Sequence, residues 1–212
     1  MPSHPNLTVV AHPLVQHKMA LLRDVDTPTR EFRHLVGEIA TLLAYEATRD
    51  LDTEPIEVWT PLERMMGARI PGDRIVLVPI LRAGLGMVDA VAALFPNAGV
   101  GHIGLYRNEE TLEPVSYYFK IPPLGGDKVY LVLDPMLATG GSASAAIAKL
   151  KESGAENIRL ISLVAAPPGV EKMQADHPDV PVFVAALDRE LNEHGYILPG
   201  LGDAGDRLFG TE

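Results

Sequence analysis

Apolar residues return along this chain in two different rhythms. Over residues 28–50, Phe32, Leu35, Val36, Ile39, Leu42 and Leu43 recur at spacings of three and four, which places them on one face of a helix. Thr27 is available as a cap and Pro28 suits the first helical position. That stripe fits a core or a contact between copies equally well. From about residue 74 the rhythm shortens. The runs "RIVLVPIL" (74–81), "VGHIGLY" (100–106), "KVYLVLD" (128–134), "IRLISLVAA" (158–166) and "VPVFVAAL" (180–187) are nearly continuous in apolar residues, the pattern of strands covered on both faces. Between them, 84–95, 142–154 and 169–177 read as helices, the second closing at Gly154. The alternation predicts an α/β fold, a mainly parallel twisted sheet flanked by helices. Ligands of such sheets bind beyond the carboxyl ends of the strands, so the loops after Leu81, Tyr106, Leu133 and Leu187 are the places to search.

Composition narrows the classes. With 212 residues and 47% hydrophobic content the chain can bury one substantial core, and no repeat or linker divides it. No run approaches the roughly 20 apolar residues of a membrane span, and the N-terminus lacks the layout of a signal peptide, so a cytoplasmic location away from membranes is expected. A net charge of -10 argues against a nucleic-acid surface. The absence of cysteine removes disulfides and thiolate zinc sites. The seven histidines show no metal-binding spacing, and no protein metal ligand is expected.

Chemistry concentrates after the 128–133 run. Asp134 stands at its carboxyl end, and the small residues of 138–142 let the backbone curl before a helix begins near Ser142. Free N–H groups at that helix start, with the hydroxyls of Thr139, Ser142 and Ser144, would cup a phosphate dianion without a lysine. A plain Gly-Gly-Ser turn with a serine cap is the alternative. The neighbouring acid favours the cup, because a carboxylate there needs partners of its own, such as sugar hydroxyls or Mg²⁺. Gly99, Gly101 and Gly104 match G-x-G-x-x-G, but the segment runs into a strand where a dinucleotide site opens a helix. Gly84-Leu85-Gly86 has better context but carries Asp89 where a small residue should pack. Arg82 and Arg107 follow two predicted strands, and together with the cup they suggest a ligand with two separated phosphate groups. The segment 187–210 is rich in Gly and Pro yet has apolar anchors. It reads as an ordered loop whose backbone groups suit a flat neutral ligand such as a pyrimidine, or as a packed terminal arm.

The segments "VLDPMLATGGSASAAI", "PILRAGLGM", "GLYRNEETLEPVSYYFKIP" and "GYILPGLGDAGDR" resemble, in order, those of the uracil phosphoribosyltransferase family of type I phosphoribosyltransferases. The resemblance covers nearly the whole chain, and its C-terminal signature separates the uracil branch from other type I enzymes. It implies one domain with an N-terminal helical arm (1–50), a core (74–187) and a hood over the site (188–212). It also implies transfer of the phosphoribosyl group of 5-phosphoribosyl 1-diphosphate to N1 of uracil, giving UMP and diphosphate, with Mg²⁺. Carried over by position, Asp134, Pro135, Met136, Leu137, Ala138, Thr139, Gly140, Gly141 and Ser142 form the phosphoribosyl loop, with Thr139 to Ser142 on the 5'-phosphate and Asp134 near the ribose hydroxyls. Arg82 and Arg107 contact the diphosphate. Ile197, Gly202, Asp203 and Ala204 read uracil, and Asp203 also lies near the sugar diphosphate and its metal. Pro135 stands where the wider superfamily often has a second acid, so Mg²⁺ is expected to be held mainly by substrate oxygens and water. A non-proline cis peptide near Arg82 and a mobile arm over 107–120 belong to the same resemblance. So do a homodimer or higher homo-oligomer and, in some relatives, GTP as an activator. A pyrimidine-responsive RNA-binding regulator on the same fold is the alternative function, and a nicotinamide-dependent oxidoreductase is a more distant one.

Overall fold

Strands and helices alternate through the computed structural model, which describes residues 4–71, 74–107, 114–123, 125 and 127–211. In chain order the elements are β1 (Leu7–Val9), α1 (Pro13–Arg23), α2 (Thr29–Ala47), β2 (Glu54–Trp59), β3 (Arg64–Arg69), β4 (Ile75–Leu81), α3 (Leu85–Leu94), β5 (Gly99–Val100), β6 (His102–Arg107) and β7 (Pro114–Lys120). They continue as β8 (Val129–Leu133), β9 (Met136–Leu137), α4 (Gly141–Glu152), β10 (Asn157–Ala165), α5 (Pro167–Asp176), β11 (Val182–Leu187), β12 (Glu190–Leu191), β13 (Ile197–Leu198) and α6 (Ala204–Phe209).

The main sheet runs β1-β11-β10-β8-β4-β6-β7, with β5 added to β4 and β9 to β10. Its pairings are parallel except β6 with β7. The five predicted strands are all present, and β4 and β8, at the centre, are buried along almost their whole length. Two apolar clusters cover the two faces. One gathers α1, α2, α3 and α6, including Phe32, Leu35, Val36, Ile39 and Leu43, so the stripe on α2 is core. The other gathers α4 and α5 over Val78, Tyr130, Val132 and Leu160. A fully buried side chain of this kind contributes about 1.5–3 kcal/mol, which makes α2 the main clamp on its face.

Several local details differ from the sequence reading. The N-cap position of α2 is Pro28, without a side-chain cap, and the Thr27 hydroxyl turns back to donate to the Leu21 carbonyl at 2.6 Å. Position 154 adopts φ +96° just past α4, as a C-terminal glycine should, although the cap residue itself is Ser153. The N-terminal segment is not wholly helical, since β1 pairs with β11 at the sheet edge. Residues 54–69 form an antiparallel hairpin, β2-β3, in which charges alternate with apolar side chains and most residues stay exposed. Gly99 and Gly101 sit at β5 and the turn into β6, and a Cβ at Gly104 would lie 2.5 Å from the Tyr117 ring, so these glycines serve strand packing. Of the expected 107–120 arm, residues 108–113 and the side chains of Arg107 and Pro114 lie outside the described residues; the remainder is β7.

Three arginines join distant parts of the chain. Arg159 on β10 donates to the Ala47 carbonyl and to Asp50, tying the end of α2 to the sheet. Arg23 ends α1 and pairs with Asp188. Arg207 on α6 donates to Leu22 O (2.9 Å), Leu201 O (2.8 Å) and Asp24 O (2.6 Å) and lies 4.3 Å above the Phe32 ring. Two of these carbonyls belong to the end of α1, where a cation also meets the negative pole of the helix. Arg207→Ala leaves three carbonyls without this donor and should cost about 2–4 kcal/mol. Thermal unfolding checks it, with a midpoint lowered by roughly 5–10 °C.

Candidate active site

The site begins where β8 stops. Asp134 follows Leu133, its amide donating to Ile161 O at 3.2 Å, and its Oδ1 faces the Met136 N–H at 3.5 Å. The chain passes through β9 and reaches Gly140 at φ +79°, the N-cap of α4, which has no side-chain cap hydrogen bond. A Cβ at Gly140 would stand 2.9 Å from Gly169 O and 3.2 Å from the Lys172 Cβ, so glycine is required by both backbone angle and space. Asp134, Met136, Leu137, Ala138, Thr139, Gly140, Gly141, Ser142 and Ala143 line a cavity of about 200 Å³. Its floor is the uncapped start of α4, where first-turn N–H groups and the helix dipole favour an anion. Pro135 lies in the same turn, and its carbonyl accepts from Leu163 N at 3.0 Å, holding the loop to β10.

Ser144 departs from the sequence reading. It is buried, and its hydroxyl donates to Asp176 Oδ2 at 2.6 Å, with His177 Nε2 at 3.2 Å. It fastens α4 to α5 and is absent from the cavity lining, because the fourth residue of a helix lies a full turn past the helix start.

Two further segments close on this loop. The turn after β4 carries Arg82, preceded by a cis Leu81–Arg82 peptide as the resemblance implied. A Cβ at Gly84 would fall 2.3 Å from Leu133 O, so this turn rests directly on the end of β8 beside Asp134. Arg82 lies 3.9 Å from Asp206 Oδ1 and 5.7 Å over the Phe209 ring, both on α6. Gly86 meets Leu208 of the same helix, whose side chain would lie 2.7 Å from an added Cβ. Asp203 caps α6, accepting from Asp206 N at 3.0 Å, with Gly202 at φ +79° before it and Ala204 buried after it. Ile197 is buried on β13, which pairs with β12, and a cis Leu198–Pro199 bond leads to Gly200. The structure thus brings Arg82, the 134–142 loop and the C-terminal segment to the carboxyl end of the sheet. Arg107 ends β6, and its side chain lies outside the described residues.

Sequence reasoning missed the groups that hold this segment in place: Arg23, Asp188, Gly200, Asp206 and Arg207. Their partners lie up to 185 residues away, so no local pattern marks them. Among the described residues no group of three His, Cys, Asp or Glu side chains could hold a metal ion.

Burial pushes the Asp134 carboxyl up from its usual value to about 7, with the Met136 N–H opposing. A carboxyl whose pKa is raised by folding binds more protons in the native state. In the ligand-free protein its contribution to stability is therefore full below about pH 4 and is lost as pH rises through 7, at about 1.4 kcal/mol per unit of separation. Asp134→Asn should flatten the fall in unfolding free energy between pH 4 and 7, as measured by urea titration across that range. An unchanged pH slope would place the charge in a wetter setting than this.

Comparisons with known proteins agree with the geometry. The family profile described as Uracil phosphoribosyltransferase matches residues 9–211. A uracil phosphoribosyltransferase of Thermoanaerobacter sp. (strain X514) is 58% identical over 209 residues, covering 99% of this chain and 100% of that one. One from Symbiobacterium thermophilum is 57% identical over 206 residues, covering 97% and 99%. Among solved structures, a protein from Aquifex aeolicus has a TM-score of 0.92 at 39% identity, covering 97% of this chain and 99% of its own. A hypoxanthine-guanine phosphoribosyltransferase from Bacillus anthracis shares the fold, with a TM-score of 0.51 at 13% identity, covering 76% and 80%. A profile matched over almost the whole length and relatives aligned from end to end place this chain in the uracil phosphoribosyltransferase family.

Proposed function

We propose that the protein performs the reaction of its family, joining uracil N1 to C1 of 5-phosphoribosyl 1-diphosphate and releasing diphosphate and UMP. The observation that carries the reading is the uncapped start of α4 opening over Asp134 at the end of β8. Such a cup takes a terminal phosphate group. The acid beside it takes ribose hydroxyls, whose hydrogen bonds favour its charged form and offset the burial that raises its pKa.

In this reading Thr139, Gly140, Gly141 and Ser142 hold the 5'-phosphate, and Pro135 to Ala138 shape the loop. Arg82 and Arg107 stabilise the departing diphosphate. Arg82 is more than half exposed and only loosely engaged with Asp206, so it is free to turn toward a more highly charged partner. Ile197, Gly202, Asp203 and Ala204 present backbone groups to the base. Breaking the C1–diphosphate bond builds positive charge on the sugar and negative charge on the leaving group, so positioning and charge stabilisation supply most of the catalysis and no protein nucleophile is needed. The isolated carboxylates Asp134 and Asp203 fit a Mg²⁺ that arrives on substrate oxygens better than one caged by the protein. When bound, it neutralises charge on the diphosphate.

A homo-oligomer is part of the same proposal. The β2-β3 hairpin exposes Trp59 (73%), Leu62 (95%) and Met66 (62%), more apolar surface than a small free ribbon usually carries. A cytoplasmic location belongs here too; no helix among the described residues is long and apolar enough to cross a membrane.

An assay with 5-phosphoribosyl 1-diphosphate, Mg²⁺ and uracil, run beside cytosine, hypoxanthine and orotate, tests the reaction. UMP from uracil alone is expected, and no product from any base would overturn the reading and revive the RNA-binding regulator. Arg107→Ala should lower kcat/KM at least 100-fold with the fold intact, in the range of lost charge stabilisation at a leaving group. Adding GTP to the same assay reads activation directly. Trp59 is the only tryptophan, so burial in an oligomer should shift its emission to the red on dilution, in step with the mass measured by sedimentation. A concentration-independent monomer would end that part of the proposal.

A further inference from the structure

A base-reading segment made mostly of backbone groups is only as selective as its backbone is fixed. Asp188, the residue after β11, is buried, and its amide donates to Ala165 O at 2.8 Å, which sets it at the carboxyl end of the sheet. Its two carboxylate oxygens each accept from one Arg23 Nη at 2.7 Å, a bidentate pair between the end of α1 and the end of β11. Oδ2 also accepts from Gly200 N at 2.9 Å, and Arg23 Nη1 also donates to Gly200 O at 2.6 Å. One ion pair thus grips both polar groups of a single residue, the N–H through the carboxylate and the C=O through the guanidinium.

Gly200 forms the tight corner of the segment. Its φ of +63° closes the turn onto Ile197, whose carbonyl would lie 2.1 Å from an added Cβ. On either side of it, Ile197 and Leu201 are buried, so rotation of the Gly200 peptide would be passed on to the residues that flank it. Stability alone does not require such a pair, because apolar side chains of similar volume often serve as well. An apolar pair, however, could not fix the direction of a peptide group.

We infer that Arg23 and Asp188 are positioning residues for base selection, acting through Gly200 to orient the backbone of 197–204. The inference rests on the base-reading role proposed for that segment. The phosphate cup and Arg82 stand on other elements, and of the groups assigned to 5-phosphoribosyl 1-diphosphate Asp203 alone belongs to 197–204, so that substrate depends on the pair less than the base does.

Asp188→Asn keeps the shape and one acceptor but removes the charge opposite Arg23. Arg23→Lys keeps the charge but replaces the two-pronged donor with a single ammonium. In each variant the KM for uracil should rise about tenfold or more, the scale of a lost charge-assisted hydrogen bond. The KM for 5-phosphoribosyl 1-diphosphate should rise clearly less than the KM for uracil, and the preference for uracil over cytosine should fall. An unchanged uracil KM in folded variants, a parallel rise in both KM values, or failure of both variants to fold would overturn the inference. The last two outcomes would make the pair a plain stability element. The parent protein is assayed first: if it makes no UMP from uracil the base-reading role falls with the reaction, whereas an active parent with normal variants removes only the positioning role.

Discussion

An amide group in the first turn of a helix has no partner within that helix, and in α4 no side chain caps the start. The positive φ of Gly140 and its contact with Gly169 and Lys172 leave no room for anything but glycine at that corner. The donors are therefore set by backbone geometry, aimed over the end of β8 and backed by the dipole of α4. The flanking parts of the site are arranged around this one turn. The Arg82 turn presses on Leu133 O from the β4 side, and α6 meets that turn through Gly86 and Leu208.

Asp134 is the counterweight. It lines the same cavity as the uncapped start of α4 and is itself partly buried, which makes its charge unfavourable in the empty protein. Its position is therefore better suited to a ligand that donates hydrogen bonds than to the empty fold. This is the usual direction of trade between stability and activity at a functional site. The ion pair at Arg159 works the other way, using charge to hold the end of α2 against the sheet.

The sheet was legible in the sequence because parallel strands covered on both faces must be apolar almost throughout, and all five predicted runs, from 74–81 to 180–187, became strands. The corner from β8 into α4 was legible because small residues between an apolar run and an Ala-rich helical pattern mark a strand-to-helix turn. The hairpin at 54–69 was not, since "EPIEVW" and "RMMGAR" mix charges with apolar residues and bury neither face cleanly. Ser144 was misassigned because a hydroxyl near a helix start looks the same in sequence whether it faces the ligand or α5. The Arg23–Asp188–Gly200 contact escaped for a different reason: its partners come from the two ends of the chain, and only the folded sheet brings them together.

Arg207 and the order of synthesis together have a further consequence. This residue binds the carbonyl of Leu22, 185 positions earlier, as well as those of Asp24 and Leu201. While the protein is being made, strands β4 and β8 and the cup at 134–142 leave the ribosome well before α6 does. A nascent chain can therefore form the turn from β8 into α4 while the 197–204 segment is still unanchored. The 197–204 segment gains this anchor only when α6 folds back onto the end of α1, so early and late parts of the chain are locked together in one closing step.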